Sequence, residues 1–484
     1  MIWPTERTRS ACTSVAASIA LLLYLSFIVR YTCFAAGGTD SSGYLNAARL
    51  ITQAGLKVRI GPLDTLGLDN SWRPVFQPLG FGQAPEPRFL VPSYPLGYPL
   101  HLALFGLLGG WKHAPFFVTP LATLLTLLVL FKIARELGLT GHLALAAPFL
   151  LAISPGWIYQ AVQPMSDVTA TLWCSLAILF ALRGRRSNAY AAWCGMAFAV
   201  AVWVRPSSLL LAIAIGLALQ CRVRPLAIAV ASAMPLGIAL MLTNRYLYGS
   251  SLLTGYGGVG SLVSWTSIAE CAPHHAKWLA ITLTPLVFPG ALLVAFNRSV
   301  SMWDKFTLIA WFGAFYGFYS VYPVCDAWWY LRFLLPAFPP LIIGALLVWR
   351  DAVHRRAVHL GLVALVAVTG VAVLIHYDVR NLREQESAYP RAIQWAQSQL
   401  PNNALVTTMQ LSGAYYFYAN TLTVRFDALD PARFEELRAY AGSAGLKWYA
   451  LVFNAEVEEL NRRMPGRWRR VNGMRNVVLL RLDS

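Results

Sequence analysis

Residues 14–29, SVAASIALLLYLSFIV, form an unbroken apolar run, and within ten residues of its end comes GTDSSGY (38–44) with an acid, Asp40, at its centre. The full run, from about 11 to 29, approaches the ~20 residues that a helix needs to cross a bilayer. Arg7 and Arg9 precede it and CFAAGG follows it, as in a secretory leader. The run exceeds the ~7 to 15 residues of a leader's apolar core, so it is read as an uncleaved first helix. A second such junction lies at QPMSDVTATLW (163–173), where Asp167 opens a later apolar segment. Charged residues make up only 13% of the 484 residues, against 57% apolar, so two carboxylates at span mouths are a site hypothesis by default.

The apolar runs are continuous, as in LLLAIAIGLAL (209–219), and lack the period-two alternation of barrel strands. Backbone groups inside lipid must be paired within the segment, which leaves helices. The expected fold is an all-α polytopic membrane domain with a small soluble α/β domain after it. The net charge of +17 is spread over loops and tail with no nucleic-acid-binding motif, so membrane topology explains it and a nucleic-acid partner is excluded. Seven cysteines show no CxxC or other metal spacing, and Cys12, Cys33, Cys174, Cys194 and Cys221 read as small hydrophobes in or beside spans.

Eleven spans are predicted, at about 11–33, 114–132, 142–159, 167–182, 188–204, 207–221, 226–242, 277–296, 306–322, 333–349 and 357–375. The segment YPLGYPLHLALFGLLGG (94–110) is short and interrupted by Pro95, Pro99 and glycines, so it is read as interfacial or re-entrant. With the amino terminus inside, the cytoplasmic segments hold fourteen Lys or Arg and four acids, in line with the positive-inside rule. This count puts Asp40 and Asp167 on the same, outer face. A first outer loop (34–113), a Gly-rich loop (243–276), an aromatic loop (322–332) and the tail lie there too. The tail, from 376 to 484, mixes strand-like ALVTT, KWYALVF and NVVLLRL with helix-like ARFEELRAYA and AEVEELNRRM, which defines an extracytoplasmic α/β domain beside a membrane domain at 1–375.

Behind Asp40, Tyr44, Ala47, Ala48 and Ile51 recur at helical spacing, which predicts an amphipathic helix on the outer surface. Each aspartate has a bland alternative as a helix N-cap or a first-turn acid. Cations expected at the same face are Arg205 in WVRPSSLLL, Arg245, Lys277 and Arg332 in WWYLRFLLPAFPPL. Their bland role is snorkelling to headgroups, and that of Trp328, Trp329 and Tyr330 an interfacial belt. The functional alternative is an anion clamp of bidentate arginines beside a carboxylate base. That set suits group transfer from a lipid phosphate, whose leaving group needs a cation and whose acceptor hydroxyl needs a base. Tyr44, Tyr256 and Tyr330 are expected to line the substrate cavity.

YLNAARL, QPMSDVTATLW, WVRPSSLLL, YLYGSSLLTGYGG (246–258) and WWYLRFLLPAFPPL, in this order over 1–375, resemble the GT-C superfamily of integral-membrane glycosyltransferases. The likeness is to the bacterial branch containing the lipid A aminoarabinose transferase, the Rgt-type lipopolysaccharide glycosyltransferases and relatives of the protein O-mannosyltransferases. The resemblance implies a polyprenyl-phosphate sugar donor, an envelope acceptor, and a site at the outer face of the bacterial cytoplasmic membrane. It makes Asp40 the catalytic acid of the first loop and Asp167 the second acid, which positions substrate or a metal. No cofactor follows from the sequence, and a divalent metal held by Asp40 and Asp167 is the one option. Two departures stand out: DSSGY has no second acid beside Asp40, which argues against an obligatory metal, and the tail domain is small. A transporter or flippase, or a non-catalytic envelope scaffold, are the alternatives. Transporters carry their charges near the midplane within repeats, and no repeat is visible here. Cys271 and Cys325 are the only cysteines in outer loops; a bridge is chemically allowed, but unpaired thiols are the expectation because spacing gives no distance.

Overall fold

A computed structural model describes residues 6–53, 55–377 and 381–483, and their side chains from residue 18 onward except 259. Arg7, Arg9 and Cys12 fall outside the described side chains, and Asp378 and Arg380 outside the described residues. The chain opens with helix α1 (Glu6–Tyr31) and, after a turn, α2 (Thr39–Thr52). The rest of the first loop holds β1 (Val58–Arg59), α3 (Gly61–Thr65), β2 (Phe81–Gln83) and β3 (Phe89–Pro92), with the antiparallel strands in the order β1-β3-β2. Next comes α4 (Gly97–Gly109), at 1.5 Å per residue about 20 Å long and so short of the ~30 Å apolar core of a bilayer.

The apolar bundle follows: α5 (Val118–Glu136), α6 (Gly141–Ala152), α7 (Pro155–Ala161), α8 (Ser166–Gly184), α9 (Asn188–Val204), α10 (Leu211–Ala218) and α11 (Val223–Tyr248). Beyond the Gly-rich loop lie α12 (Ile268–Thr282), the short α13 (Thr284–Val287) and α14 (Gly290–Leu293), then α15 (Met302–Ser320). A 3-10 segment, Trp328–Ala337, runs into α16 (Phe338–Ala352), and α17 (Arg356–His376) ends the bundle.

Each predicted span overlies helix, but two are not continuous. The segment 142–159 bends by 63° between α6 and α7, and 277–296 bends by 107° after α12. Both breaks precede a proline. Ser154 is extended (ψ 126°) before Pro155, and Thr284 is left-handed (φ 65°) before Pro285, because proline's ring crowds the helical conformation of the preceding residue. Among the described residues five helices are long and apolar enough to cross a membrane, or up to seven if each bent pair counts as one span. The second half of the bundle is sorted by burial: α8 and α16 lie deep in the main core, whereas α11 exposes Val230, Met234, Ile238 and Met241 and α17 exposes Leu365, Val368 and Val371. Apolar stripes turned outward at helical spacing fit a lipid environment.

After residue 381 come α18 (Leu382–Gln397), β4 (Ala404–Thr407), α19 (Ser412–Ala419), α20 (Phe434–Ser443), β5 (Lys447–Phe453), α21 (Val457–Arg463), β6 (Trp468–Met474) and β7 (Val477–Leu482). The sheet order is β4-β5-β7-β6, parallel at β4–β5 and antiparallel elsewhere. This segment does not stand apart from the first loop. Ile60, Trp72 and Phe76 share one core with Phe426, Phe434 and Trp448, and the Arg425 amide donates to Val75 O at 2.7 Å. The α2 helix, expected on the surface, is buried continuously from Ser41 to Ala48. Its apolar face packs on α4 and its small-residue face under α19, where Gly413 meets Ser42 and the Asn46 side chain donates to Gly413 O at 2.9 Å.

Candidate active site

Asp40 lies in the first turn of α2, one residue past Thr39, while the N-cap position is Gly38. Its carboxylate is not spent on capping. Oδ1 accepts a 2.5 Å hydrogen bond from the Tyr94 hydroxyl, and Oδ2 takes Arg332 Nη2 at 2.5 Å. Asp167, in the first turn of α8, is likewise no cap; the cap position is Met165. It pairs with Arg205, which stands extended (φ −152°, ψ 113°) between α9 and Pro206. The proline forces that extended turn, and the turn aims the guanidinium inward instead of toward headgroups.

The two pairs form one network. The Tyr44 hydroxyl shares a 2.8 Å hydrogen bond with Ser166 beside Asp167, while its ring packs 4.7 Å from that of Tyr94 beside Asp40. The guanidiniums of Arg205 and Arg332 lie 5.1 Å and 5.2 Å from the centre of the Phe333 ring. Tyr330 flanks Arg332 at 5.8 Å. Tyr256, half exposed, meets Tyr94 edge to face at 6.0 Å. Gly255 permits this: a Cβ there would fall 2.0 Å from Ser93 O, so only glycine lets the Gly-rich loop lie on 93–94. A small, mostly apolar cavity beside Arg205, lined by Leu96, Trp203, Pro206, Leu247, Tyr248 and Gly255, adjoins the network.

Two sequence-predicted cations are not brought in. Lys277 is exposed on α12, 5.6 Å from the Trp278 ring, and Arg245 is exposed in the last turn of α11. Trp328 is no free belt residue either, since its ring packs on Tyr159 at 4.8 Å and Tyr377 at 5.3 Å.

Burial alone would raise the Asp40 pKa, but the Arg332 charge and the hydrogen bonds from Tyr94 and Arg332 outweigh it and hold the carboxyl below its ordinary range. Arg332 Nε, by contrast, is buried with no partner among the described residues. A buried guanidinium donor without an acceptor is unfavourable unless something else arrives to take it. A divalent cation does not fit the carboxylates as they stand. Each faces an arginine, and among the described residues no three His, Cys, Asp or Glu side chains converge as a metal site.

The structure overturns the expectation of free thiols: Cys271 on α12 and Cys325 in the aromatic loop are bonded, with Cα atoms 5.5 Å apart. It also adds a residue that the sequence did not single out, Glu386 on α18, which reaches the turn before Asp40.

The fold is shared with solved structures of other proteins. ArnT from Cupriavidus metallidurans is similar over 98% of both chains with a TM-score of 0.59 at 14% identity, and its undecaprenyl phosphate-bound form over 97% of both with a TM-score of 0.60. The Archaeoglobus fulgidus oligosaccharyltransferase, in its complex with Zn and sulfate, is similar over 97% of this chain and 75% of its own, with a TM-score of 0.61 at 12% identity. No protein-family model matches the sequence, and no curated protein matches it.

Proposed function

We propose that this chain is a glycosyltransferase of the bacterial cytoplasmic membrane that moves a sugar from a polyprenyl-phosphate donor to an envelope acceptor at the outer face. The observation that carries the reading is the Asp40–Arg332 pair: an accessible carboxylate held by a guanidinium whose Nε has no partner. The likeness to a fold that in ArnT binds undecaprenyl phosphate points the same way.

In this reading the donor phosphate draws Arg332 from Asp40 and satisfies Nε. Asp40, relieved of its counter-ion, becomes a stronger base. The acceptor oxygen bonds to the anomeric carbon, the bond from that carbon to the phosphate oxygen breaks with its electron pair, and the acceptor proton passes to Asp40. Arg332 stabilises the charge that develops on the phosphate, with Arg205 near it. Asp167 keeps Arg205 in place from behind. The disulfide supports an outer, oxidising location for this face, and the basic loops opposite support the orientation. The membrane part at 1–375 and the outer segment at 376–484 then divide the labour, the second lying over the site.

Mass spectrometry of glycolipids and glycans tests this, comparing envelopes with the protein, without it, and with Asp40→Asn. One sugar residue missing from the last two identifies donor and acceptor class together. Identical profiles in all three would remove the transferase reading.

A further inference from the structure

Glu386 is a half-buried acid beside this site, with no salt bridge to a cation among the described residues. Its Oε2 accepts from the Gly38 amide at 3.1 Å and from the Ser41 hydroxyl at 3.3 Å, and that same serine oxygen accepts the Gly37 amide at 3.1 Å. Gly37 is shaped around the carboxylate: a Cβ there would stand 2.0 Å from Oε2. Gly38 is the N-cap residue of α2 and has no side chain to cap with. An acceptor bearing negative charge is what a helix start lacks, and here it comes from another part of the chain, about 350 residues later.

The neighbourhood does not favour the charge for its own sake. Burial raises the Glu386 pKa and the nearby Asp40 charge raises it further, against the two hydrogen bonds. The other ionisable groups facing it are Tyr159 on α7, Cys33 after α1, Tyr389 on its own helix and Tyr418 on α19, while Arg383, one turn earlier, donates to Arg30 O and lies over the Phe34 ring. The carboxylate is held there by docking around it. Tyr418 accepts the Ala36 amide at 2.9 Å, and Arg49 of α2 donates to Phe417 O at 2.5 Å.

We propose that Glu386 is a positioning residue for Asp40. It caps α2 from the outer segment and fixes the first turn, so that the Asp40 carboxylate meets Arg332 and Tyr94. The outer segment is thereby a working part of the membrane site. Only the naming of Asp40 as catalytic rests on the transferase reading; the placement of α2 does not.

The test uses full-length protein in nanodiscs with Glu386→Ala and Glu386→Gln. The alanine variant should lower kcat about tenfold with both KM values unchanged, and the glutamine variant, which keeps an acceptor oxygen, should return to within about twofold of the native rate. Neither should move the acid limb of kcat/KM, because Asp40 titrates below its ordinary range, where Glu386, whose pKa burial raises, has already lost its charge. Independently of activity, hydrogen exchange in the peptide containing Gly37 and Gly38 should quicken at least about tenfold in the alanine variant, with α5 and α8 unchanged. Where the alanine variant does not fold, the glutamine variant still reports through its rate, and a folded glutamine variant about tenfold slower than native overturns the proposal. Native exchange at 37–38 in Glu386→Ala, or a glutamine variant as slow as the alanine one, overturns the proposal. Faster exchange in a chain that transfers no sugar would leave the positioning role intact and remove the transferase reading instead.

Discussion

Two aspartates open two helices in this protein, each paired with one arginine, and they differ in what else reaches them. The Asp40 side chain is 25% exposed and accepts from a tyrosine as well as a guanidinium; the Asp167 side chain is 2% exposed and faces Arg205. A sealed pair has little to exchange with substrate and owes its presence to geometry. An open one can give up its partner. In the proposed reaction the same two residue types serve as a fixed brace in one place and a releasable latch in the other.

The largest effect separating them should be Asp40→Asn. The expected loss of transfer is about 10²- to 10⁴-fold, the range of a general base, with melting close to native because the change removes a charge at an aqueous edge. A well-folded Asn variant with normal turnover would end the latch assignment. Asp167→Ala should act on the fold first. It strands a buried guanidinium, at a cost of about 3 to 5 kcal/mol, and the yield of folded protein in detergent should fall. The double change Asp167→Asn with Arg205→Gln should recover the yield without recovering transfer. If Asp167→Ala melts like the native protein, the two pairs are not different in kind.

Arg332→Ala should raise the donor KM or lower the rate by at least about tenfold, whereas Lys277→Ala and Arg245→Ala, outside the network, should leave donor kinetics where they are. Equal effects at all three cations would erase the distinction between clamp and lipid anchor. Cys325→Ser should destabilise by about 2 to 4 kcal/mol and slow transfer only a few fold, since the bond ties α12 to the loop just ahead of Arg332 without touching the reacting groups. Labelling of both cysteines in unreduced protein would rule the bond out.

The smallest signal is in pH. With the folded-state Asp40 pKa below its ordinary 3.8, the stability contributed by the Arg332 pair is complete above that value and is lost as pH falls through the lower folded one. Melting temperature should drop below about pH 4, and less so in Asp40→Asn; an identical drop in both would show that the latch contributes nothing.

Much of this comparison was legible in the sequence, because an acid at the mouth of an apolar span has few competing explanations. Asp40, Asp167, Arg205 and Arg332 stood out on those grounds. Which arginine answers which aspartate was not legible, since it depends on how α8, α9 and the segment at 328–337 pack. Glu386 illustrates the limit best. It sits in REQES (383–387) beside Glu384, which is solvent-facing and pairs with Arg391 and Arg475, and nothing local distinguishes the two. The available hint lay elsewhere, in two consecutive glycines opening a helix with no capping side chain. The helix breaks were foreshadowed by Pro155 and Pro285, and the spans were drawn through them because hydropathy does not register a bend.

The core shared by residues 60–90 and the last strands also bears on how the protein is made. Ribosomes add about 5 to 20 residues per second, so the apolar side chains of the first loop emerge tens of seconds before Phe426, Phe434 and Trp448 exist to cover them. Throughout that interval Trp72 and Phe76 face water or a chaperone, while the helices between are inserted one after another. Assembly of the site thus waits on the end of translation, and a chain that stops early carries an unfinished first loop, a mark by which quality control can recognise it.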